Sequence, residues 1–322
     1  MKTSWTITDG SAGMQSQVIG LASALGTKNT AKICRRRKPF AWLPAGLYYN
    51  ALEQLTEDSD SLAAPWPDLL ITCGRRSVPL ALAINKLSKG QTRIIHIQDP
   101  HVNPARFDIV VCPEHDKLAG LNVVHTQAAL HRVTNAKLAI GSRQLLPHIK
   151  HLPRPYHSIL LGGSSNSFKM TAEAALELAR QLRSIHEANG GSLLITPSRR
   201  TDEETIATIK NALTDIKNIY FPDLNEYNPF MGLLGMADYI FVTDDSVSMM
   251  TEACFTGKPV YLLPLQGHKK SKPKSFANKL IDQGYARQFS GKVESWVYTP
   301  MDDRKHVVAF IERTFAKHGK QR

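Results

Sequence analysis

The stretch from Asp238 to Leu265, D-Y-I-F-V-T-D-D-S-V-S-M-M-T-E-A-C-F-T-G-K-P-V-Y-L-L-P-L, leaves little choice of local structure. Residues 239–242 are apolar and rich in β-branched and aromatic side chains, and Thr243-Asp244-Asp245-Ser246 stops them. That pattern predicts a buried strand ending in a polar turn. A helix follows: Ser246 or Ser248 can cap it, Glu252 falls in its first turns, and Gly257 ends it before Pro259 opens a strand over 260–263. Strand, tight turn and helix N-terminus in succession gather unpaired backbone N–H groups and the positive end of a helix dipole at one spot, which suits a diphosphate.

A chain of 322 residues is too long for most single cores and fits two domains. No run approaches the apolar length of a membrane span, and the N-terminus reads as a strand rather than a leader, so the expected location is the cytoplasm. Cys34, Cys73, Cys112 and Cys254 are far apart in sequence and predict buried thiols rather than a zinc or redox pair. Forty basic against 28 acidic residues favour anionic partners. Nucleic acid is set aside as a partner, because no helix-turn-helix, finger or aromatic RNA-binding signature accompanies the charge.

Strands are predicted over residues 6–8, 31–34, 67–73, 92–97 and 107–112, each followed by a polar turn and most by a helical run. Such alternation indicates a parallel sheet with ligand-binding residues after the strand C-termini. Those turns supply Asp9, Gly10, Gly13, Gln17, Arg75, Arg76, Asp99, His101, His115 and Asp116. Arg35-Arg36-Arg37-Lys38 stands where a dinucleotide fold carries its acidic ribose residue, so an NADP site is a lesser reading beside a solvated basic loop. The run continues through Phe40, Trp42, Leu43, Leu47, Tyr48 and Tyr49, and the segment between Arg35 and Trp42 has the composition of a patch that meets an anionic membrane surface. The proline-rich residues 147–155 are read as the linker, giving domains over 1–152 and 153–322, with the last helix, about 303–315, able to pack back on the first domain. Beyond the linker a second series begins. A strand over 158–161 leads into Gly162-Gly163-Ser164-Ser165-Asn166-Ser167, one over 192–196 into Ser198-Arg199-Arg200-Thr201, and one over 218–221 into a loop containing Asn225. Lys269-Lys270-Ser271-Lys272-Pro273-Lys274 reads as a basic loop.

The spacing of Ser246, Glu252, Gly257 and Pro259 resembles the donor-site segment of GT-B glycosyltransferases, whose matching Glu holds the ribose of the nucleotide sugar. D-G-x-x-G-x-x-x-Q at 9–17, C-G-R-R at 73–76, I-Q-D-P at 97–100, F-D-I-V-V-C-P-E-H-D at 107–116, S-R-R-T at 198–201 and V-T-D-D-S-V-S-M-M-T-E-A at 242–253 are together similar to the Elm-type family, named after a plant mitochondrial fission factor. The two resemblances imply an α/β chain of two Rossmann-like domains facing a cleft, GT-B-like, with the nucleotide held by the second.

They also imply a metal-independent, inverting glycosyltransferase with no cofactor, using a nucleotide-sugar donor and a lipid-linked or envelope acceptor. A non-hydrolysing nucleotide-sugar epimerase and a non-enzymatic scaffold are the alternatives. The expected diphosphate and sugar contacts are Gly163, Ser164, Ser198, Arg199, Asp245, Ser246, Ser248 and Glu252, with Gly10, Gly13, Gln17, Arg75 and Arg76 on the acceptor side. Asp9 or Asp99 is the expected base, with His101 in reserve.

Overall fold

Strand and helix alternate along the chain because apolar β-rich runs are interrupted by amphipathic helical ones, and the result is two parallel sheets. The computed structural model describes residues 2–46, 50–165, 168–224, 226–265 and 271–319. Leu47, Tyr48 and Tyr49 of the aromatic run, Asn166 and Ser167 of the serine-rich loop, Asn225, and Lys269 and Lys270 of the basic loop lie outside these residues.

The chain divides into two units, one of Met1–Arg132 with Asp302–Arg322 and one of Val133–Met301. In the first, β1 (Thr3–Thr8), β2 (Lys28–Ile33), β3 (Leu69–Cys73), β4 (Arg93–Ile97), β5 (Ile109–Pro113) and β6 (Val123–Thr126) form a parallel sheet in the order β2-β1-β3-β4-β5-β6. Its central strands are buried on both faces, as in a sheet covered by helices on each side. Val78, Leu80, Ala81 and Ile84 of α2 (Val78–Leu87) pack with Ile7, Leu70, Ile94 and Val110. On the other face, Val18, Leu21 and Ala22 of α1 (Ala12–Ala24) pack with Ile71, Ile95, Ile109 and Val111. Val307 and Ile311, on the final helix over Arg304–Gly319, join that same cluster.

The second unit holds α3 (Asn135–Ile149), β7 (Tyr156–Leu161), α4 (Ala172–Asn189), β8 (Ser192–Pro197), α5 (Glu203–Ala212), β9 (Ile219–Tyr220), α6 (Phe230–Met236), β10 (Tyr239–Thr243), α7 (Val247–Cys254), β11 (Val260–Leu263), α8 (Lys272–Asp282) and β12 (Ala286–Gln288). Its parallel sheet runs β12-β11-β10-β7-β8-β9. Ala175, Leu178, Leu182 and Ile185 line one face of α4 at three- and four-residue spacing and cover Ile159, Leu161, Leu193 and Ile195. On the other face α3 and α6 approach closely, since a Cβ on Gly141 would lie 2.6 Å from the Gly232 nitrogen.

The division at residues 132 and 133 falls twenty residues before the 152/153 boundary expected from the prolines. Thr134 caps α3 by accepting a hydrogen bond from the Lys137 amide at 3.2 Å, and Pro147 stands within the helix near its end. Likewise Ser271-Lys272-Pro273-Lys274 is not loop: Ser271 caps α8, accepting from the Lys274 amide at 3.3 Å, and Pro273 occupies its first turn, where a missing N–H is harmless. Edge strands β6 and β12 escape sequence detection because they are only four and three residues long. No helix among the described residues is long and apolar enough to cross a membrane.

Candidate functional site

In each sheet the strand order reverses direction once, and loops at such a reversal diverge to leave a crevice at the strand C-termini. In the second unit the reversal lies between β7 and β10, with β8 beside β7. Three loops therefore share one edge: 162–165 after β7, 198–201 after β8 and 244–246 after β10.

Side chains of this edge bind the loops to one another. The Asp245 side chain is only 2% exposed and forms an ion pair with Arg200, Oδ2 to Nη2, at 2.6 Å. The same oxygen accepts from the Gly163 amide at 3.3 Å, while Oδ1 accepts from Thr243 Oγ1 at 2.7 Å. Arg200 also donates from Nη1 to the Gly163 carbonyl at 2.8 Å. Thr201 Oγ1 donates to the Gly162 carbonyl at 2.7 Å. Both glycines are sterically required. A Cβ on Gly162 would lie 1.9 Å from Asp245 Oδ1, and one on Gly163 would lie 2.0 Å from the Arg200 carbonyl oxygen. Asp244 faces elsewhere. It accepts from the Leu265 amide at 2.9 Å and from Lys274 Nζ at 2.7 Å, drawing the start of α8 toward the same edge.

The expected contacts are thus divided in ways that residue type alone does not reveal. Both arginines are exposed at the surface, and it is the Arg200 guanidinium that reaches the enclosed Asp245 carboxylate. Ser246, rather than Ser248, is the cap of α7, its Oγ accepting from the Met249 amide at 3.4 Å; Ser248 lies inside the first turn. Ser164 Oγ accepts from the Met170 amide at 3.1 Å, and Ser198 Oγ accepts from the Arg200 amide at 3.2 Å, so both hydroxyls also shape their own loops. Arg200, Thr201, Thr243 and Lys274 are the residues of this edge that sequence reasoning does not single out. The pair Arg199-Arg200 signals that guanidinium is needed here, but adjacency does not say which one reaches Asp245.

Glu252 is 6% exposed on the inner side of α7, so it is not a solvated helix residue. Glu252→Ala is therefore expected to lower the stability of the unliganded protein by about 1–3 kcal/mol, where an exposed carboxylate would change it by about 0.5 kcal/mol or less. Urea unfolding at neutral pH reads the difference directly.

In the first unit the reversal lies between β1 and β3. Gly10 and Gly74, at φ +96° and +82°, make the turns that leave these two strands, and Gln98 and His101 after β4 also take positive φ, +80° and +54°. Asp9 accepts from the Ser11 amide at 3.0 Å and the Ser11 hydroxyl at 2.5 Å, and pairs with Arg76 at 3.3 Å. Burial pushes its carboxyl up, but the two Ser11 hydrogen bonds and the Arg76 guanidinium outweigh that and hold it below the usual range. A carboxylate so held is a weaker proton acceptor than an unpaired one. Asp99 accepts from the His101 amide at 2.7 Å, and its other oxygen lies 3.5 Å from His101 Nδ1. The imidazole, 61% exposed, is thereby oriented with its Nε2 edge available. His115 and Asp116 form a similar contact at 3.5 Å after β5. Gln17 is buried on α1 and donates to the Gly13 carbonyl at 3.3 Å, so these two residues serve the helix; Arg75 is exposed. His96, beneath this edge, is fully buried, with its pKa pushed down by burial to about 3, and stays neutral.

In the basic run after β2 only Arg36 is buried, but the arginines are engaged by neighbouring groups of the same unit. Arg35 pairs with Asp58 at 2.6 Å and donates to the Asp9 carbonyl at 2.9 Å, Arg36 donates to Gln54 at 2.6 Å and Arg37 to the Glu53 carbonyl at 2.6 Å. Lys38 lies 5.3 Å from the ring of Trp42, beside the exposed Trp42 and Leu43.

Two Rossmann-like α/β units with polar loops at their strand reversals make a chain of GT-B-like fold. The structure is similar to the UDP-GlcNAc 2-epimerase of Methanocaldococcus jannaschii, with a TM-score of 0.60 at 12% identity over 97% of this chain and 100% of that one. It is also similar to the UDP-GlcNAc 2-epimerase of Neisseria meningitidis bound to UDP-GlcNAc, with a TM-score of 0.52 at 15% identity over 98% of this chain and 100% of that one. At such identities the likeness is one of fold.

The chain belongs to the family described as Mitochondrial fission ELM1, whose model matches residues 12–315. It is 31% identical over 279 residues to the mitochondrial fission protein ELM1 of Arabidopsis thaliana; the match takes in 79% of this chain but 65% of the plant protein, less than two thirds of its length. It is 29% identical to the uncharacterized protein RP120 of Rickettsia prowazekii (strain Madrid E), over 96% of this chain and 97% of that protein.

Proposed function

We propose that the protein is a metal-independent, inverting glycosyltransferase whose second unit takes a nucleoside diphosphate sugar at the common edge of β8, β7 and β10. The observation that carries this proposal is the meeting of a double-glycine loop, a double-arginine loop and the N-terminus of α7 at one strand reversal. In glycosyl transfer the diphosphate departs with negative charge while the anomeric carbon turns positive. The exposed guanidinium of Arg199 and the amides opening α7 are suited to that charge, and Asp244 and Asp245 already hold Lys274 and Arg200. Glu252, 6% exposed, is assigned to the ribose hydroxyls in addition to its part in holding α7.

The first unit contributes the base in this proposal. His101, oriented by Asp99, would accept the acceptor hydroxyl's proton, and Asp9 would serve to position Arg76. Lys38, Trp42 and Leu43 support a shallow contact with an anionic membrane that presents a lipid-linked acceptor.

Incubation with UDP-, GDP-, ADP- and CMP-sugars tests the proposal, first by thermal shift and then by mass spectrometry of products with an extract of envelope lipids. Transfer releases nucleoside diphosphate as the acceptor gains a sugar. An epimerase would instead return a nucleotide sugar of unchanged mass and altered chromatographic behaviour. Failure of every nucleotide sugar to shift the melting curve would contradict both activities and leave a scaffold.

A further inference from the structure

We infer that the Asp245 carboxylate is a resident anion that stands where a ligand phosphate binds, and that a diphosphate enters by exchanging with it. The inference rests on the nucleotide site proposed above and supplies its regulation. Asp245 receives a guanidinium N–H from Arg200 at 2.6 Å, a backbone N–H from Gly163 at 3.3 Å and a hydroxyl from Thr243 at 2.7 Å. Guanidinium, glycine amide and hydroxyl are the donors by which proteins hold phosphate oxygens. The surrounding loop is shaped to the carboxylate, because any side chain at Gly162 would overlap its Oδ1 atom.

The pair is also lopsided. The Asp245 side chain is 2% exposed and that of Arg200 36%, so an anion arriving from solvent meets the guanidinium before it meets the carboxylate. Arg200 can then change partners without crossing a desolvated region. Asp244 does not compete, since Lys274 and the Leu265 amide hold it separately. A ligand that must displace a resident group binds with its intrinsic affinity multiplied by the fraction of molecules in which the place is open. Displacement deprives the enclosed carboxylate of its counterion, a cost of the size that Arg200→Ala would expose, so only a multiply charged anion that gains several charge-assisted hydrogen bonds can offset it, whereas a single negative charge merely replaces like with like. The latch thus favours diphosphates over monoanions.

Removal of the carboxylate's charge should open the place. Asp245→Asn keeps the shape and leaves a half-exposed cation that water can serve, so calorimetric titration with inorganic pyrophosphate should show binding at least about tenfold tighter than in the unaltered protein. Equal or weaker binding by the folded variant would overturn the latch, making Asp245 a residue that merely positions Arg200. Should the variant fail to fold, hydrogen exchange in the unaltered protein decides: saturating pyrophosphate must change the exchange of the segment 162–165, and an unchanged rate overturns the latch. Pyrophosphate carries no nucleoside or sugar. Tightening in Asp245→Asn with no nucleotide sugar bound by either protein would therefore uphold the latch and sink the proposed transferase.

Discussion

Arg200→Ala should lower folding stability by about 3 kcal/mol, while Arg199→Ala, one residue away, should change it by about 0.5 kcal/mol or less. The asymmetry follows from what each substitution leaves behind. Without Arg200 the Asp245 carboxylate, 2% exposed, loses its counterion while still enclosed by Gly162, Gly163 and Thr243. The Gly163 carbonyl loses a donor at the same time. Stranding a buried charge is far more damaging than forgoing an ion pair, because the desolvation already incurred is no longer compensated. Arg199 has none of the contacts that tie Arg200 to Asp245 and Gly163, so in the proposed function its loss should fall on ligand affinity rather than on the fold. Urea unfolding curves of the two variants, read for midpoint at constant slope, separate these effects. Equal destabilisation by both would mean that the loops after β7 and β8 do not depend on the Arg200–Asp245 pair.

His101→Asn should reduce turnover by about 10²- to 10⁴-fold with little change in donor affinity, the usual contribution of a positioned general base. Asparagine is the appropriate replacement because position 101 has φ +54°, a left-handed conformation that asparagine tolerates and most residues resist. The amide cannot take a proton at neutral pH, yet it preserves the turn in which the backbone N–H of residue 101 donates to Asp99. Single-turnover rates and the separation of kcat from KM for the sugar acceptor measure this. A variant with unimpaired kcat would remove His101 from the chemistry and return the choice of base to Asp99 and Asp9.

The sequence carries the architecture more completely than the site. Each apolar run that becomes a central strand, such as residues 69–73 or 239–243, is bounded by polar turn formers, and its burial on both faces requires the continuous hydrophobicity that marks a parallel sheet. Helix α3 is less legible because only Gly141, Leu145 and Ile149 of it are buried, and Pro147 disguises its last turn. At the site, the loops are identifiable from Gly162-Gly163, Arg199-Arg200 and Asp244-Asp245, but the pairing among them is not. Which arginine of two reaches Asp245 depends on backbone direction after β8, set by Ser198 and Thr201 hydrogen bonds that no residue spacing encodes. The same holds for Asp9. A strand-end aspartate looks like a base in sequence, and only the Ser11 and Arg76 contacts show that its charge is already committed.

In the proposed function, nucleotide binding belongs to the edge of β8, β7 and β10 in the second unit. Photoaffinity labelling with an azido derivative of whichever nucleotide sugar shifts the melting curve most, followed by peptide mapping, locates the ligand without assuming its chemistry. The predicted label falls in segments 162–165, 198–201 and 246–252, is suppressed by excess unlabelled nucleotide, and is lost in Arg200→Ala. Label confined to the first unit, or label in the second that excess nucleotide does not suppress, would contradict it.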